Sequence, residues 1–356
     1  MIKRIKIFGA GSIGNHFAHA SRSLGWEVHL CDTDPAALER TRTSIYPQRY
    51  GAFDPEIQLH VVGNEPKGDF DFILIGTPPD AHINLARDAV AEKPAAVIIE
   101  KPLSPPTMDG LIELGDEAAT AGVRLFVGYD HVVGKAAQEA AKQIVSGDIG
   151  AITTLTVSFR EHWQGIFGAH PWLSGPQDTY LGYWKRGGGA SGEHSHALNL
   201  WQYFAHTAGA GRVSEVSAVM DYVNDGQVSY DRLALFSLKC ESGLIGHVAQ
   251  DVVTHPPIKA ARIQGVNGFV SWTCGAEPGI DRVEKMVGSG SVEKTDISKT
   301  RPDDFITELH HILDALDHPD RVSPIDYRFG VDTIRVLESA HESATKGVTV
   351  KVRYDD

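Results

Sequence analysis

Over its first third the chain alternates short, largely apolar runs with stretches whose apolar residues recur at helical spacing. Phe72–Ile75 and Val97–Ile99 are apolar throughout and Ile5–Phe8 is apolar but for Lys6, the pattern of strands covered on both faces. Glu27–Cys31 and Leu125–Val127 read as further strands, and Ile13–Leu24 and Met108–Ala121 read as helices. Asp34-Pro35 opens another helix, with the carboxylate capping the first turn and proline at the first helical position. Asp80 is the candidate cap for the helix between Phe72–Ile75 and Val97–Ile99. Strands alternating with helices predict a doubly wound parallel sheet, hence an α/β protein.

The rhythm changes near Gly128. A helix is expected over Lys135–Ile144, closed at Gly147, and Ala151–Phe159 alternates as a strand. Strands then follow without intervening helices at Val213–Val223, Leu233–Lys239, Leu244–Val253, Ala261–Gln264 and Phe269–Trp272, the order of a mostly antiparallel sheet. Leu198–Phe204, Phe305–Leu316 and Tyr327–Ala344 are the helices left to cover it. At 356 residues the chain exceeds what one core usually serves. We therefore expect a dinucleotide-binding domain over 1–128 and an α+β substrate and oligomerisation domain over 129–356. A sheet with one uncovered apolar face predicts a homodimer or homotetramer.

Composition narrows the function classes. Hydrophobic residues make up 42% and charged residues 22%, as in ordinary globular proteins. The net charge of −13, from 46 acidic and 33 basic side chains, opposes binding to nucleic acid or to an anionic membrane. The basic N-terminus MIKRIKIF breaks at Gly9 after too short an apolar run for a secretory signal, and nothing later matches a membrane span. Cys31, Cys240 and Cys274 are isolated, so a reducing, cytoplasmic setting is expected.

Chemistry enters at the end of the first strand. Gly9-Ala10-Gly11-Ser12-Ile13-Gly14 has the GxGxxG spacing between a strand and a helix. Gly9 permits the tight turn, Gly11 lets the backbone approach a pyrophosphate and Gly14 allows close helix packing. Ser12 and Ile13 begin the helix whose N-terminus favours the anion. Asp32 ends the second strand at the spacing of a ribose-binding acid, and its charge favours NAD over NADP. Gly76-Thr77-Pro78-Pro79-Asp80 and Glu100-Lys101-Pro102 follow two further strands and reach the same sheet edge, where ligands sit in such folds.

Together these segments resemble the Gfo/Idh/MocA oxidoreductases, the glucose–fructose oxidoreductase and inositol dehydrogenase group. GAGSIGNHFA, GTPPDAH, IIEKPLS, VGYDH, RGGGASGEHSHALNL, GHVAQDVVTHPP and LESAHESATKG match its motifs in order, from about residue 5 to about residue 352. Asp130 stands where the family usually has Asn. The resemblance implies a Rossmann domain, a C-terminal domain on an open sheet, and NAD-dependent chemistry on sugars, amino sugars, nucleotide sugars or cyclitols. It implies cofactor contacts at Thr77, Pro78, His82 and Glu100, an active-site lysine at Lys101, and substrate contacts at Tyr129 and Asp130. Counting from either side of the family's Asp-x-x-x-His pair gives Glu193 and His196 with one residue deleted between them, and His194 competes for the proton-transfer role. If Glu193 opens a helix, it shares a face with His196.

The polar aromatic segment before that pair supplies candidate substrate contacts at His162, Trp163, His170, Tyr183 and Lys185. No metal is expected. Two alternatives share the fold, a glycoside hydrolase that oxidises transiently with bound NAD and a non-catalytic NAD-binding regulator.

Overall fold

Six strands, β1 (Arg4–Phe8), β2 (Glu27–Asp32), β3 (Ile57–Val61), β4 (Phe72–Ile75), β5 (Ala96–Ile99) and β6 (Arg124–Val127), pair in the order β3-β2-β1-β4-β5-β6. Every pairing is parallel. The structure is a computed structural model that describes residues 2–168 and 170–354. Phe8, Ile75, Ile99 and Val127 are register partners across four neighbouring strands, so the loops that follow them emerge side by side. The strands between these loops and the chain reversals are fully buried, as their unbroken apolar runs require.

Helices α1 (Ser12–Ser23), α2 (Pro35–Arg40), α3 (Tyr46–Tyr50), α4 (His82–Ala91) and α5 (Leu111–Ala121) connect the strands. Asp34 caps α2 by accepting from the Ala36 N–H at 2.9 Å, with Pro35 at the first position. A wider turn over Thr41–Ile45 carries α2 into α3. Asp80 does not take the expected capping position. It lies inside a short 3-10 turn, Pro79–Ala81, and the residue before α4 is Ala81.

The chain divides into two compact units, and the first is discontinuous: it holds the residues up to Ser104, then Asp109–Asp130 and Arg301–Tyr327. Helix α11 (Arg301–Asp317) packs on α1. Phe305 stacks on His16 at 4.7 Å and meets Phe17 edge-on at 5.0 Å. This division differs from a boundary at 128/129, because an amphipathic pattern shows that a helix has a core-facing side without showing which core it serves.

The second unit is built on nine strands: β7 (Ile152–Arg160), β8 (Val213–Asn224), β9 (Ser229–Cys240), β10 (Ile245–Asp251), β11 (Ile258–Gly265), β12 (Gly268–Glu277), β13 (Ile280–Val287), β14 (Glu293–Ser298) and β15 (Val350–Lys351). Their order is β14-β13-β12-β11-β7-β10-β9-β8-β15, antiparallel except for the β7–β10 pair. Besides α6 (Asp130–Val133), which begins in the first unit, its helices are α7 (Lys135–Val145), α8 (Trp163–Gly168), α9 (Gly189–Glu193), α10 (Ser195–Thr207) and α12 (Tyr327–Lys346). α7 lies on β12 and β13, and α10 on β7 and β10, where Trp201 donates from its indole to the Leu155 carbonyl at 2.9 Å. Val219, Leu235, Ile245 and Ile258 remain exposed on this sheet. Among the described residues no helix is long and apolar enough to cross a membrane.

Candidate cofactor and substrate sites

The glycine turn of the first unit is built from both sides. Gly9 has φ +103°, and a Cβ there would lie 2.5 Å from the Gly76 carbonyl oxygen. A Cβ on Gly14 would lie 1.9 Å from the Gly9 oxygen, so the helix starts against the turn itself. Gly11 is different: nothing lies within 4 Å of its ideal Cβ position. That is the open face a pyrophosphate needs, next to the N-terminus of α1, which has no side-chain cap.

Three polar side chains that sequence reasoning missed brace this turn from behind. Asn15 donates to the Gly11 carbonyl at 2.8 Å and to Thr41 Oγ1 at 3.0 Å, and Thr41 donates to the Ala10 carbonyl at 3.1 Å. Arg49 donates to the Ser12 carbonyl and hydroxyl, both at 2.9 Å. Asp32 accepts from the Ala10 N–H at 2.7 Å and from the Asp34 N–H at 2.8 Å.

Thr77 sits beside the turn, and its hydroxyl is buried with no hydrogen-bond partner among the described residues. An open glycine face, an uncapped helix N-terminus, an oriented acid and an orphaned hydroxyl fit a dinucleotide. Pro78 is exposed next to Thr77. His82 is fully buried beneath both loops, with Nε2 2.8 Å from the Thr77 oxygen and Nδ1 3.1 Å from the Pro102 oxygen. Burial holds its pKa below the usual histidine value. It is a strut between the loops.

Lys101 is half-buried after β5, at the head of a cis peptide to Pro102. Its backbone N–H donates to the Glu100 carboxylate at 3.2 Å. Glu100 belongs to a buried group of acids. Burial pushes its carboxyl up to about 8; Lys101 pulls it down and Asp130 pushes it further up. Glu308 on α11 has no exposure, and neither of its carboxylate oxygens has a hydrogen-bond partner among the described residues. Burial, then Glu100, Asp130 and Asp304, raise it well above the ordinary carboxylate range. Tyr129 and Asp130 are buried just after β6.

In the second unit, α9 ends at Glu193 and α10 starts at Ser195, with His194 at the break (φ −97°, ψ 22°). The expectation that Glu193 opens the helix carrying His196 is therefore corrected: the two belong to different helices and share no helical face. The glycine run opens a separate helix, α9, before the break. Gln250 helps to hold it by donating to the His194 carbonyl, which also accepts from the Ala197 N–H at 2.8 Å. His194 is buried. His196 is half-buried, edge-on to His131 at 4.7 Å. Ser195 Oγ, Asn199 Oδ1 and Gln250 Oε1 are buried around this start of α10 without a partner among the described residues.

The aromatic segment splits in two. Trp163 packs with Phe167 on a small core of Ile166, Leu181, Ala190, Val228, Tyr230 and Val252, and its indole N–H is buried with no partner among the described residues. His162 accepts from the Gln164 N–H at 3.0 Å, and His170 Nδ1 lies 2.7 Å from the Ile166 oxygen. Tyr183 instead donates to the Gln227 carbonyl at 2.8 Å, and the exposed Lys185 lies over the Trp184 ring.

Residues 3–129 match the model of an oxidoreductase family with an NAD-binding Rossmann fold, and residues 137–271 match the GFO/IDH/MocA C-terminal domain. No curated protein sequence matches the chain. Among solved structures, the WlbA dehydrogenase from Bordetella pertussis, in complex with NADH and UDP-GlcNAcA, is 22% identical with a TM-score of 0.73, covering 100% of both chains. An oxidoreductase from Agrobacterium radiobacter with NAD+, L-tartaric acid and magnesium is 21% identical, TM-score 0.78, over 99% of each chain. A levoglucosan dehydrogenase with NADH is 18% identical, TM-score 0.78, over 99% of this chain and 100% of that one. At these identities the likeness carries the fold.

Proposed function

The chain belongs to the Gfo/Idh/MocA family of NAD-binding oxidoreductases, and we propose from that premise that it moves hydride to or from a carbinol carbon of a sugar, amino sugar, nucleotide sugar or cyclitol. The observation that carries the reading is the edge of the parallel sheet. The glycine turn, the Thr77 loop and the Glu100-Lys101-Pro102 loop leave neighbouring strands there in one register. The carbohydrate ligands named with the WlbA dehydrogenase and with levoglucosan dehydrogenase support this substrate class.

NAD supplies the hydride acceptor, or as NADH the donor. Gly11, Ser12 and Ile13 would hold its pyrophosphate through backbone N–H groups on the turn that Gly9 and Gly14 shape, and Asp32 would accept from ribose hydroxyls, which favours NAD over NADP. Lys101 donates to the reacting hydroxyl, and its positive charge stabilises the developing alkoxide. A histidine ring nitrogen takes the hydroxyl proton. Half-burial of His196 against the full burial of His194 supports His196 in that role. Trp163 is a candidate to stack against a sugar ring. Val219, Leu235 and Ile245 form the surface through which we expect the chain to self-associate.

Lys101→Ala tests the reading. We expect NADH formation from carbohydrate substrates to fall by at least about 10³-fold, in the range of lost acid–base and electrostatic groups. The dissociation constant for NADH, read by its fluorescence, should change less than about threefold. Undiminished turnover sinks the role of Lys101.

A further inference from the structure

Beside α9, four side chains that the hydride chemistry does not use are joined end to end. Asp231 on β9 accepts from the Ser191 N–H at 2.7 Å through Oδ2 and from the Ser191 hydroxyl at 3.0 Å through Oδ1. Ser191 Oγ lies 3.1 Å from His341 Nε2, and His341 Nδ1 lies 2.7 Å from the Tyr222 hydroxyl. That hydroxyl is also 3.0 Å from Met220 Sδ. Asp231, Ser191 and His341 are 0%, 1% and 5% exposed, whereas Tyr222 and Met220 are half-buried. Trp184 stacks on the His341 ring at 4.4 Å. Gly189 lets α9 come this close, since a Cβ there would lie 2.0 Å from Asp231 Oδ1.

Counting protons gives one arrangement for the ionised Asp231 and the reversed one when Oδ1 carries a proton. When the carboxyl is ionised, Ser191 gives its only proton to Oδ1, so Ser191 Oγ accepts from His341. Burial pushes the His341 pKa down to about 3, so the ring is neutral near pH 7. It therefore carries its proton on Nε2, and Nδ1 accepts from Tyr222. When Oδ1 carries the proton, every bond reverses. Oδ1–H donates to Ser191 Oγ, Ser191 donates to Nε2, Nδ1–H donates to Tyr222, and Tyr222 donates to Met220 Sδ.

We propose that Tyr222, His341, Ser191 and Asp231 form a reversible proton relay between the half-buried Tyr222 hydroxyl and the buried Asp231, and that Asp231 is through it a positioning residue for α9. The step balances. The Tyr222 proton moves to Nδ1, the Nε2 proton moves to Ser191 Oγ and the Ser191 proton moves to Oδ1. Water supplies one proton to Tyr222, every intermediate group ends neutral, and the histidine has changed tautomer. An ionised carboxylate holds the Ser191 N–H more strongly than a neutral acid does, so the grip on α9 follows the charge.

Burial pushes the Asp231 carboxyl up to about 7 against the two Ser191 hydrogen bonds, which places the reversal near neutrality. The charged side chains on surrounding elements are Lys185 and Arg186 beside Trp184, Glu193 on α9, Glu338 on α12, and Asp221 with Arg232, which pair at 2.6 Å.

The test is a long-range 1H–15N spectrum of the histidine side chains in the full-length protein, with the His341 signals assigned by His341→Gln. We expect the Nε2–H tautomer at about pH 8.5 and the Nδ1–H tautomer at about pH 5.5, with the Ser191 amide proton moving over the same range. In Asp231→Asn the amide N–H donates to Ser191, so His341 should remain Nδ1–H at both values. In Ser191→Ala the link is cut, and the tautomer should not respond to pH. A wild-type tautomer that does not switch, or one that still switches in either variant, overturns the proposal. None of these readings requires substrate or cofactor, so they stand or fall separately from the proposed reaction.

Discussion

The Asp32 carboxylate accepts from the Ala10 backbone N–H at 2.7 Å, which fastens the acid at the end of β2 to the middle of the glycine turn. A second bond, from the Asp34 N–H, fixes the carboxylate plane. The acid is thus oriented before any ribose arrives. Asp32→Ala should weaken NAD binding by about 10- to 100-fold, the range for hydrogen bonds to a charged group. NADP binding should weaken less or improve, because the repelling charge is gone. Titration of both reduced cofactors by fluorescence checks this, and an unchanged preference counts against Asp32 as the selector.

Glu308 makes stability depend on pH. Its carboxyl is raised by burial far above 4.5, so the folded protein keeps a proton that the unfolded chain releases. The stability this group allows is complete below the unfolded value and is lost as pH rises toward the folded one, at about 1.4 kcal/mol per pH unit. Glu100, pushed up to about 8, acts in the same direction. Glu308→Gln removes one of these protons from the balance. Urea melts between about pH 5 and pH 8 should show the variant losing less stability with rising pH than the parent. Identical slopes would show that Glu308 is ionised in the fold.

Phe305 is 2% exposed between His16 and Phe17. Phe305→Ala should cost about 3–5 kcal/mol, the usual range for emptying a buried aromatic site. The loss should appear in the unit that holds the glycine turn, read by hydrogen exchange along α1. Unchanged exchange there would detach α11 from that core.

Val219 and Leu235 stand opposite each other on β8 and β9, 69% and 43% exposed. If this face joins two copies, Leu235→Asp places a charge in an apolar contact at a cost of several kcal/mol. Sedimentation should then give the monomer mass for the variant and a multiple of it for the parent. Equal masses would remove this face as the interface.

Much of the fold was legible because its strands are pure in pattern. Phe72–Ile75 and Ala96–Ile99 are buried on both faces, so an apolar run is all they show. β3 differs from its neighbours in alternating Ile57, Leu59 and Val61 with Gln58 and His60, as an edge strand does, and nearly all of β14, Glu293–Ser298, faces solvent, so neither shows a buried apolar run. At the site, the GxGxxG turn and Asp32 announce themselves through spacing along one strand–turn–helix unit. The bracing by Asn15, Thr41 and Arg49 does not, since a polar residue in a helix carries no mark of a partner some 30 residues away. The break at His194 was hidden for a similar reason: part of what holds it is Gln250, on a strand 56 residues later.

The return of α11 to the first unit also sets an order of assembly. A ribosome completes β1 to β6 and the glycine turn by residue 127, yet the helix that covers α1 does not begin until Arg301. At about 5–20 residues per second, that interval is on the order of ten seconds or more. Through it, Phe17 and its neighbours await their cover while the whole nine-stranded sheet except its last short strand is being made. The nascent cofactor half is thus synthesised before the large sheet and closed only after nearly all of it, a window in which a chaperone has an apolar surface to hold.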